Sequence, residues 1–524
     1  MSPVVGQGTV TFVILGAAIV LFVSNRVPVA IVAMGVSLSL WATGVLEIDE
    51  ALAGFGDPTV LFIAGTFVVA EALDATGVTT WVGQQMLARS GTGRVRLLST
   101  MMVVCALLTA LITPNASVAS LIPAAVLVSL RSREAPSRLL IPLAFAAHAG
   151  ALLALTGSPV SVIVSDALED AGGERFGFFE FALAGIPLLI GTIVIVRLLG
   201  PRLLPDRTPE HAPVDFGDLA RTLRSEYELP ESQGLFDRRR GTAEVVIPPR
   251  SPLAGKHVFP GMVTDSGELV VLAVRRGGEE LGPSDTYLRV GDVLVVRGSR
   301  MALDEHLADE EVLRVTEPSL VRRQVVPLGL GAKEAVAILA LMVVVLATGT
   351  VPPAVASLGA AMAVVLLRIL TIEQAYRSVS WTTVVIVAGM IPLSVAMRTT
   401  GAASTLADGL VSIVGDAGPR MLLLGLFVLV AVLGQLISNT ATALVVLPVA
   451  VSSAADLGVS PTPVLMALNV AATASLLTPV ATPANLMVME PAGYRFGDYW
   501  RLGLPVLAWY GVISVLWVPF VWGW

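Results

Sequence analysis

Asn115 and Asn439 stand at matching places in two halves of one chain, the first in LITPNASVASLIP and the second in LISNTATALVVLP. Their offset, 439 − 115 = 324, also carries Ala64-Gly65 onto Ala388-Gly389, Thr76-Gly77 onto Thr400-Gly401 and Pro159 onto Pro483. Each half holds two polar, helix-breaking interruptions in otherwise apolar runs: one at the Asn, and one at Thr156-Gly157-Ser158-Pro159 or its repeat ending Thr482-Pro483-Ala484-Asn485. An interrupted helix presents free N–H groups at one end and free C=O groups at the other. The N–H ends favour anions. Freed carbonyls, with Asn, Ser and Thr oxygens, favour a hard cation such as sodium. The polar residues of the breaks are all neutral: Asn115, Ser117, Thr156, Ser158, Ser438, Asn439, Thr440, Thr442, Thr478, Thr482 and Asn485, with no Arg or Lys among them. The chemistry on offer is therefore binding by hydrogen bonds and dipoles. A dianion buried there without counter-charge would be costly, which argues for a co-bound cation. No nucleophile–base set and no multi-residue metal cluster is visible, so the residues point away from an enzyme.

Two acids follow the same repeat, since 490 − 166 = 324 pairs Asp166 with Glu490. Acids within membrane segments are functional candidates by default. They read as either interface-facing groups or a proton or cation relay. His148 leads into the Thr156 break and reads as a buried, satisfied histidine. The other histidines (211, 257, 306) are dispersed, and the single cysteine, Cys105, excludes an intrachain disulfide and a multi-Cys metal site.

What must position these breaks is a membrane bundle. Of 524 residues, 55% are hydrophobic and only 14% charged, with a mean hydropathy of +0.81; soluble domains are roughly 25% charged. Candidate spans run over 9–24, 27–46, 59–75, 98–113 with 116–130, 139–167 and 181–199, and again over 333–349, 352–370, 382–398, 420–437 with 440–453, 463–489 and 500–521. Backbone broken at membrane depth is tolerated where it is buried in protein or lines a cavity, so the four breaks belong inside the bundle. The chain thus divides into a first transmembrane block (1–200), an insert (201–330) and a second block (331–524). The N-terminus lacks a basic stretch and a cleavage site, so its first apolar run reads as a retained span. Trp509, Tyr510, Trp517, Trp522 and Trp524 suit an aromatic belt or plain helix packing equally well.

The insert is charged and carries short alternating apolar runs, punctuated by Gly277-Gly278 and Val290-Gly291-Asp292, which are strand and turn signals. It reads as a small α+β domain, with 208–242 as a linker. Basic residues on both flanks (Arg197, Arg202, Arg207, Arg322, Arg323, Lys333) put this side in the cytoplasm by the positive-inside tendency.

Ile437-Ser438-Asn439-Thr440-Ala441-Thr442 with Pro448, Pro479 to Asn485, and Met489-Glu490-Pro491-Ala492-Gly493-Tyr494-Arg495-Phe496-Gly497-Asp498 resemble signatures of the divalent anion:sodium symporters, the INDY-type permeases. That resemblance spans nearly all of both membrane blocks. It implies an all-α polytopic fold of about eleven spans in two inverted repeats, each with a re-entrant hairpin and a broken helix, usually dimeric, moving by an elevator mechanism in the bacterial inner membrane. Carried over by position, it implies substrate contacts at Asn115, Ser438, Asn439, Thr440, Thr482 and Pro483; Ser117 and Ser158 are added to these as hydroxyl residues of the first-half breaks. It implies sodium contacts at Asn115 and Gly157 for one ion, and at Ser438, Asn439 and Ala481 for another. The chain departs from the pattern where the first Ser-Asn-Thr should stand, having Pro114-Asn115-Ala116.

Ser251 to Lys256, Val271 to Gly278 and Gly291 to Gly298 are similar to a TrkA-C module, the C-terminal domain of potassium-conductance regulators, over 241–316. Such modules dimerise and bind small regulatory ligands. The function expected is cation-coupled, sodium-driven symport of a small divalent anion such as sulfate or a C4-dicarboxylate, with no organic cofactor and no nucleic-acid partner. Two other readings stay open: a cation or proton antiporter, and an anion channel or sensor gated through the TrkA-C module.

Overall fold

In a computed structural model of the chain, the described residues are 3–207 (without 25, 80, 83–84, 86–93 and 133–134), 240–299 (without 248–250, 252, 254, 260–261, 265–268, 277–278 and 281–285), 313–314, and 328–524 (without 330, 415–417 and 480). Two compact units result. One comprises Met1–Leu73, Val82–Ala212 and Lys333–Trp524; the other comprises Asp74–Trp81 and Pro213–Ala332.

The first unit is helical. Among the described residues, six helices are long and apolar enough to cross a membrane: Gly6–Ser24, Ile48–Ala75, Ala182–Leu203, Trp381–Thr399, Asn439–Asp456 and Phe496–Trp522. Shorter apolar helices are Val29–Ala42, Val95–Leu111, Pro353–Leu366, Pro419–Leu433 and Pro461–Ala472. Three of these, Val95–Leu111, Pro419–Leu433 and Pro461–Ala472, belong to hairpins or broken helices, which need only part of the bilayer thickness.

The repeat is visible in packing as well as in order. A Cβ added to Gly65 would lie 2.7 Å from Ser357 Oγ, and one added to Gly389 would lie 2.7 Å from the Ala33 backbone. Because 357 − 33 = 324, these are one contact made twice, each time between opposite halves. Only glycine admits so close an approach. Gly77 and Gly401, paired by the same offset, follow the helices Pro58–Ala75 and Trp381–Thr399 with φ of 76° and 72°, the left-handed conformation that ends helices.

The aromatics of the last helix are tied to the protein through their indole N–H groups. The indole N–H groups of Trp509, Trp517 and Trp522 donate to Pro187 O (3.1 Å), Leu183 O (2.8 Å) and Glu180 Oε1 (2.5 Å). Tyr510 is fully buried, whereas Trp524 remains exposed.

The second unit carries the strands β1 (Arg240–Val246), β2 (His257–Val258), β3 (Leu269–Arg276), β4 (Glu279–Glu280), β5 (Thr286–Tyr287), β6 (Val293–Ser299) and β7 (Leu313–Arg314). Five form one sheet in the order β4-β3-β6-β1-β7; β2 and β5 pair separately. Alternation puts Val245, Leu269, Val271, Val274, Leu294 and Val296 into one core with Ile247, Val258 and Leu288. The expected linker lies outside the described residues over 208–239, and its last residues, 240–242, already belong to β1. Gly277-Gly278 also lies outside the described residues, but Val290-Gly291-Asp292 is a turn, with Gly291 at φ 88°. There Asp292, 1% exposed, accepts from Arg276 through both oxygens (2.8 Å each) and from Arg289 N (2.7 Å). Burial works against its charge, but the Arg276 and Arg289 contacts prevail and hold the carboxyl below its ordinary value.

Candidate functional site

Four pairs of elements build the site. In the first half, α1 (Arg94–Leu111) and α2 (Pro114–Ser132) form a hairpin turning at Ile112-Thr113, and α3 (Leu140–Gly150) and α4 (Pro159–Asp170) are two parts of a broken helix. In the second half, α5 (Pro419–Leu433) and α6 (Asn439–Asp456) form the equivalent hairpin, and α7 (Pro461–Ala472) and α8 (Pro483–Met487) the equivalent broken helix. Proline begins α2, α4 and α8 because its fixed φ suits a first turn and its missing N–H costs nothing there.

The halves interlock. The hairpin arm α2 packs against α8, and α6 packs against α4, so each hairpin meets the broken helix of the other half. Side chains follow suit. Asn469 of α7 donates to Ser161 Oγ of α4 at 3.1 Å, while Asn485 of α8 lies 3.1 Å from His148 Nε2 of α3; all four are buried.

Caps define the breaks. Ser158 caps α4, its Oγ accepting from Val160 N at 3.2 Å. Thr482, its equivalent (482 − 158 = 324), caps α8 by accepting from Asn485 N at 3.3 Å. Ser438 caps α6, accepting from Ala441 N at 3.3 Å. Hydroxyls in this role satisfy helix-start N–H groups that would otherwise be orphaned.

The second hairpin tip is bound to the second break. Ser475 Oγ donates to Asn439 Oδ1 and also lies 3.1 Å from Gly434 O. Gln435 reaches Ala474 O (3.1 Å) with its nitrogen and accepts from Leu477 N (2.9 Å). The first tip is held differently: Thr156 Oγ1 donates to Ala110 O at 2.9 Å, and Ser117 turns its hydroxyl back onto Thr113 O at 2.8 Å. Asn115 is exposed at the start of α2; Asn439 and Thr440 are half-buried. Gly157 is buried where a Cβ would come within 2.5 Å of Ala151 O. Ala481 is buried and Pro483 exposed, and Ala481 can offer an ion only its carbonyl.

The acids part company. Asp166 accepts from Thr59 Oγ1 and pairs with Arg175 at 3.0 Å. Glu490 is exposed. Among the described residues, no group of three or more His, Cys, Asp or Glu side chains is placed to hold a metal ion.

The family profile for citrate transporters (CitMHS) matches residues 19–471 and 413–523, which is most of the chain. The chain belongs to the citrate transporter family. Among relatives of this citrate transporter-family protein is the uncharacterized transporter YfbS of Escherichia coli K12, 29% identical over 97% of this chain and 98% of its own. Sodium/sulfate cotransporter 2 of Chlamydomonas reinhardtii is 25% identical over 52% of this chain and 32% of its own. Among solved structures, the YdaH transporter of Alcanivorax borkumensis superposes with a TM-score of 0.50 at 17% identity, covering 93% of this chain and 89% of that one; this likeness supports the fold. The protein is a multi-pass membrane transporter rather than an enzyme.

Three features of this transporter escape sequence reading. Asn485 uses every side-chain polar atom inside the protein: its nitrogen donates to Ser475 O (2.8 Å) and Thr478 O (3.0 Å), and its Oδ1 faces His148. It braces the break rather than lining it. Gly185 and Gly503 back onto the break carbonyls Leu152 O and Leu476 O, each at 2.2 Å from an added Cβ. Those carbonyls are related by 476 − 152 = 324, but the glycines by 503 − 185 = 318, so a fixed-offset search passes over them. Finally, the Met489–Asp498 motif is an anchor: Tyr494 OH donates to Ser137 O and accepts from Ile141 N (3.0 Å) at the start of α3, while Asp498 pairs with Arg207 at 2.7 Å.

Proposed function

We propose that this protein is a secondary active carrier for a small, multiply charged oxyanion, sulfate or a carboxylate of the dicarboxylate and citrate type, driven by a cation gradient, with sodium as the coupling ion. One observation carries the reading. Both breaks end in hydroxyl-capped helix starts and are cross-braced by buried polar bonds between opposite halves. Such paired breaks in a repeated membrane bundle are where secondary carriers hold substrate and coupling ions. The family profile names citrate and a relative names sodium and sulfate, which supports the same substrate class.

In this reading the anion sits against the starts of α6 and α4, contacted by Ser438, Asn439, Thr440, Ser158 and Thr482. Sodium takes carbonyl and amide oxygens near Asn439, Ser438 and Ala481, with a second ion near Gly157 and Asn115. The hairpins and broken helices move together past the remaining helices in an elevator motion. The sheet unit is a cytoplasmic TrkA-C-type module that pairs two protomers and senses a small ligand.

Uptake into proteoliposomes tests this. Labelled sulfate, succinate, citrate and phosphate are presented with sodium and proton gradients varied separately. Concentrative, sodium-dependent uptake of a divalent or trivalent anion is expected. Gradient-independent equilibration would indicate a channel instead, and no uptake of any of the four would overturn the substrate class.

A further inference from the structure

Thr482 Oγ1 lies 3.3 Å from His148 Nε2 and accepts from Asn485 N–H at 3.3 Å. The orientation of the Asn485 amide is not free. Its nitrogen faces two carbonyls, Ser475 O and Thr478 O at 2.8 and 3.0 Å, and only an NH2 group can face two carbonyl oxygens. The atom 3.1 Å from His148 Nε2 is therefore Oδ1, which can only accept. Hence Nε2 carries a hydrogen. The same N–H faces Thr482 Oγ1, so that oxygen stands before two donors, and its own hydrogen must point away from both. No acceptor for that hydrogen occurs among the hydrogen bonds of the described residues.

We propose that His148 is a positioning residue for anion binding, which commits the Thr482 hydroxyl to donate into the second break. A threonine hydroxyl can ordinarily donate or accept. Here its oxygen faces two N–H groups, the His148 one shared with Asn485 Oδ1, so the hydroxyl is better placed to give its hydrogen to an oxyanion oxygen than to ligate a cation. The device exists on one side only. The residue equivalent to His148 is Ala472 (148 + 324 = 472), and among the described residues Ser158, the counterpart of Thr482, has only Val160 N before its hydroxyl. The two breaks thus differ in what they select.

This inference rests on the reading that the breaks bind a small anion. Its test measures initial uptake rates of whichever of labelled sulfate, succinate, citrate and phosphate the wild type takes up, in proteoliposomes, for the wild type, His148→Leu, His148→Gln and Thr482→Val. Loss of one hydrogen bond to a charged ligand corresponds to roughly a tenfold rise in KM, with Vmax within about twofold of wild type. His148→Gln places an N–H where Nε2 stood and should restore KM. Thr482→Val should match His148→Leu, and the double variant should be no worse than either single one. An unchanged KM in His148→Leu, a Gln variant no better than Leu, or additive effects in the double variant would overturn the proposal. If His148→Leu does not fold, His148→Gln against His148→Asn decides, because Asn cannot reach as far: equal KM values for the two would overturn it, and a raised KM for Asn alone would support it. A wild type that takes up none of sulfate, succinate, citrate and phosphate overturns the functional reading together with this inference.

Discussion

Asn469 donates its side-chain amide to Ser161 Oγ at 3.1 Å, joining residues 308 positions apart in the buried centre of the bundle. Ser161 is the first-half equivalent of Asn485 (485 − 161 = 324), and Asn485 is in turn bonded to His148 of the first half. One position of the repeat therefore reaches across to the opposite half in both copies. The two braces are unequal. Asn485 has partners for both ends of its amide, whereas Asn469 Oδ1 is buried without one among the described residues.

That inequality sets an order of stability. Asn485→Leu would leave Ser475 O and Thr478 O without their amide donor and leave His148 only Thr482 as a partner, at about 1–3 kcal/mol for each buried group left unpaired. Asn469→Leu would remove one bond but also one unpartnered amide oxygen, so its net cost should be about 1 kcal/mol or less. Thermal unfolding in detergent should give a clearly lower Tm for Asn485→Leu than for Asn469→Leu. The reverse order would contradict the bonding described.

Asn439 is the residue on which transport should depend most. Its Oδ1 is held by Ser475 at the junction of hairpin tip and break. Asn439→Ala should abolish uptake while leaving the size-exclusion profile and helical circular dichroism unchanged. Ser475→Ala should reduce uptake in part, by freeing that amide. Normal uptake by the Asn439 variant in proteoliposomes would remove this residue from the site.

Gly185 and Gly503 test the fit between the breaks and the helices behind them. A methyl group at either would sit 2.2 Å from a main-chain carbonyl. Backbone cannot swing aside as a flexible side chain can, and overpacking of this kind costs about 1–3 kcal/mol. Gly185→Ala and Gly503→Ala should each lower Tm and uptake together. Gly35→Ala, where an added Cβ meets nothing within 4 Å, is the control.

In the strand unit the pH dependence has a definite sign. The Asp292 carboxyl is held below its ordinary value of 3.8 when folded. Its contribution is complete above the unfolded value and is lost as pH falls through the lower folded one. Hydrogen-exchange protection of β1, β3 and β6 in the full-length protein should be flat from neutral pH down to about 5, then fall in more acidic buffer. Asp292→Asn should weaken protection at neutral pH and flatten the acid limb. An unaltered acid limb in that variant would mean that other carboxylates control it.

The repeat and its breaks were legible because they rest on residue type. Proline, glycine and small polar residues recur at one offset, and those are the residues that end and start helices. The strand unit was legible through alternating apolar positions, as at Leu269 and Val271 or Leu294 and Val296, and through the Gly291-Asp292 turn. What did not show was direction. Asn485 and Thr482 belong to one polar string, yet one is spent on the protein and the other keeps a hydrogen to give. Nothing in the string distinguishes them, because the choice is made by carbonyls of the unwound segment and by a histidine 337 residues away. Gly185 and Gly503 were hidden for a different reason, since the halves differ in length beyond the first break.

The reciprocal bonding also dictates a schedule for biosynthesis. His148 and Ser161 leave the ribosome well before their partners, which follow 337 and 308 residues later. At about 5–20 residues per second, that delay is on the order of 15–70 s. During it the first broken helix is already made while its polar contacts do not yet exist, so the membrane-inserted half must be sheltered, by the insertion machinery or by water, until the second half arrives to close it.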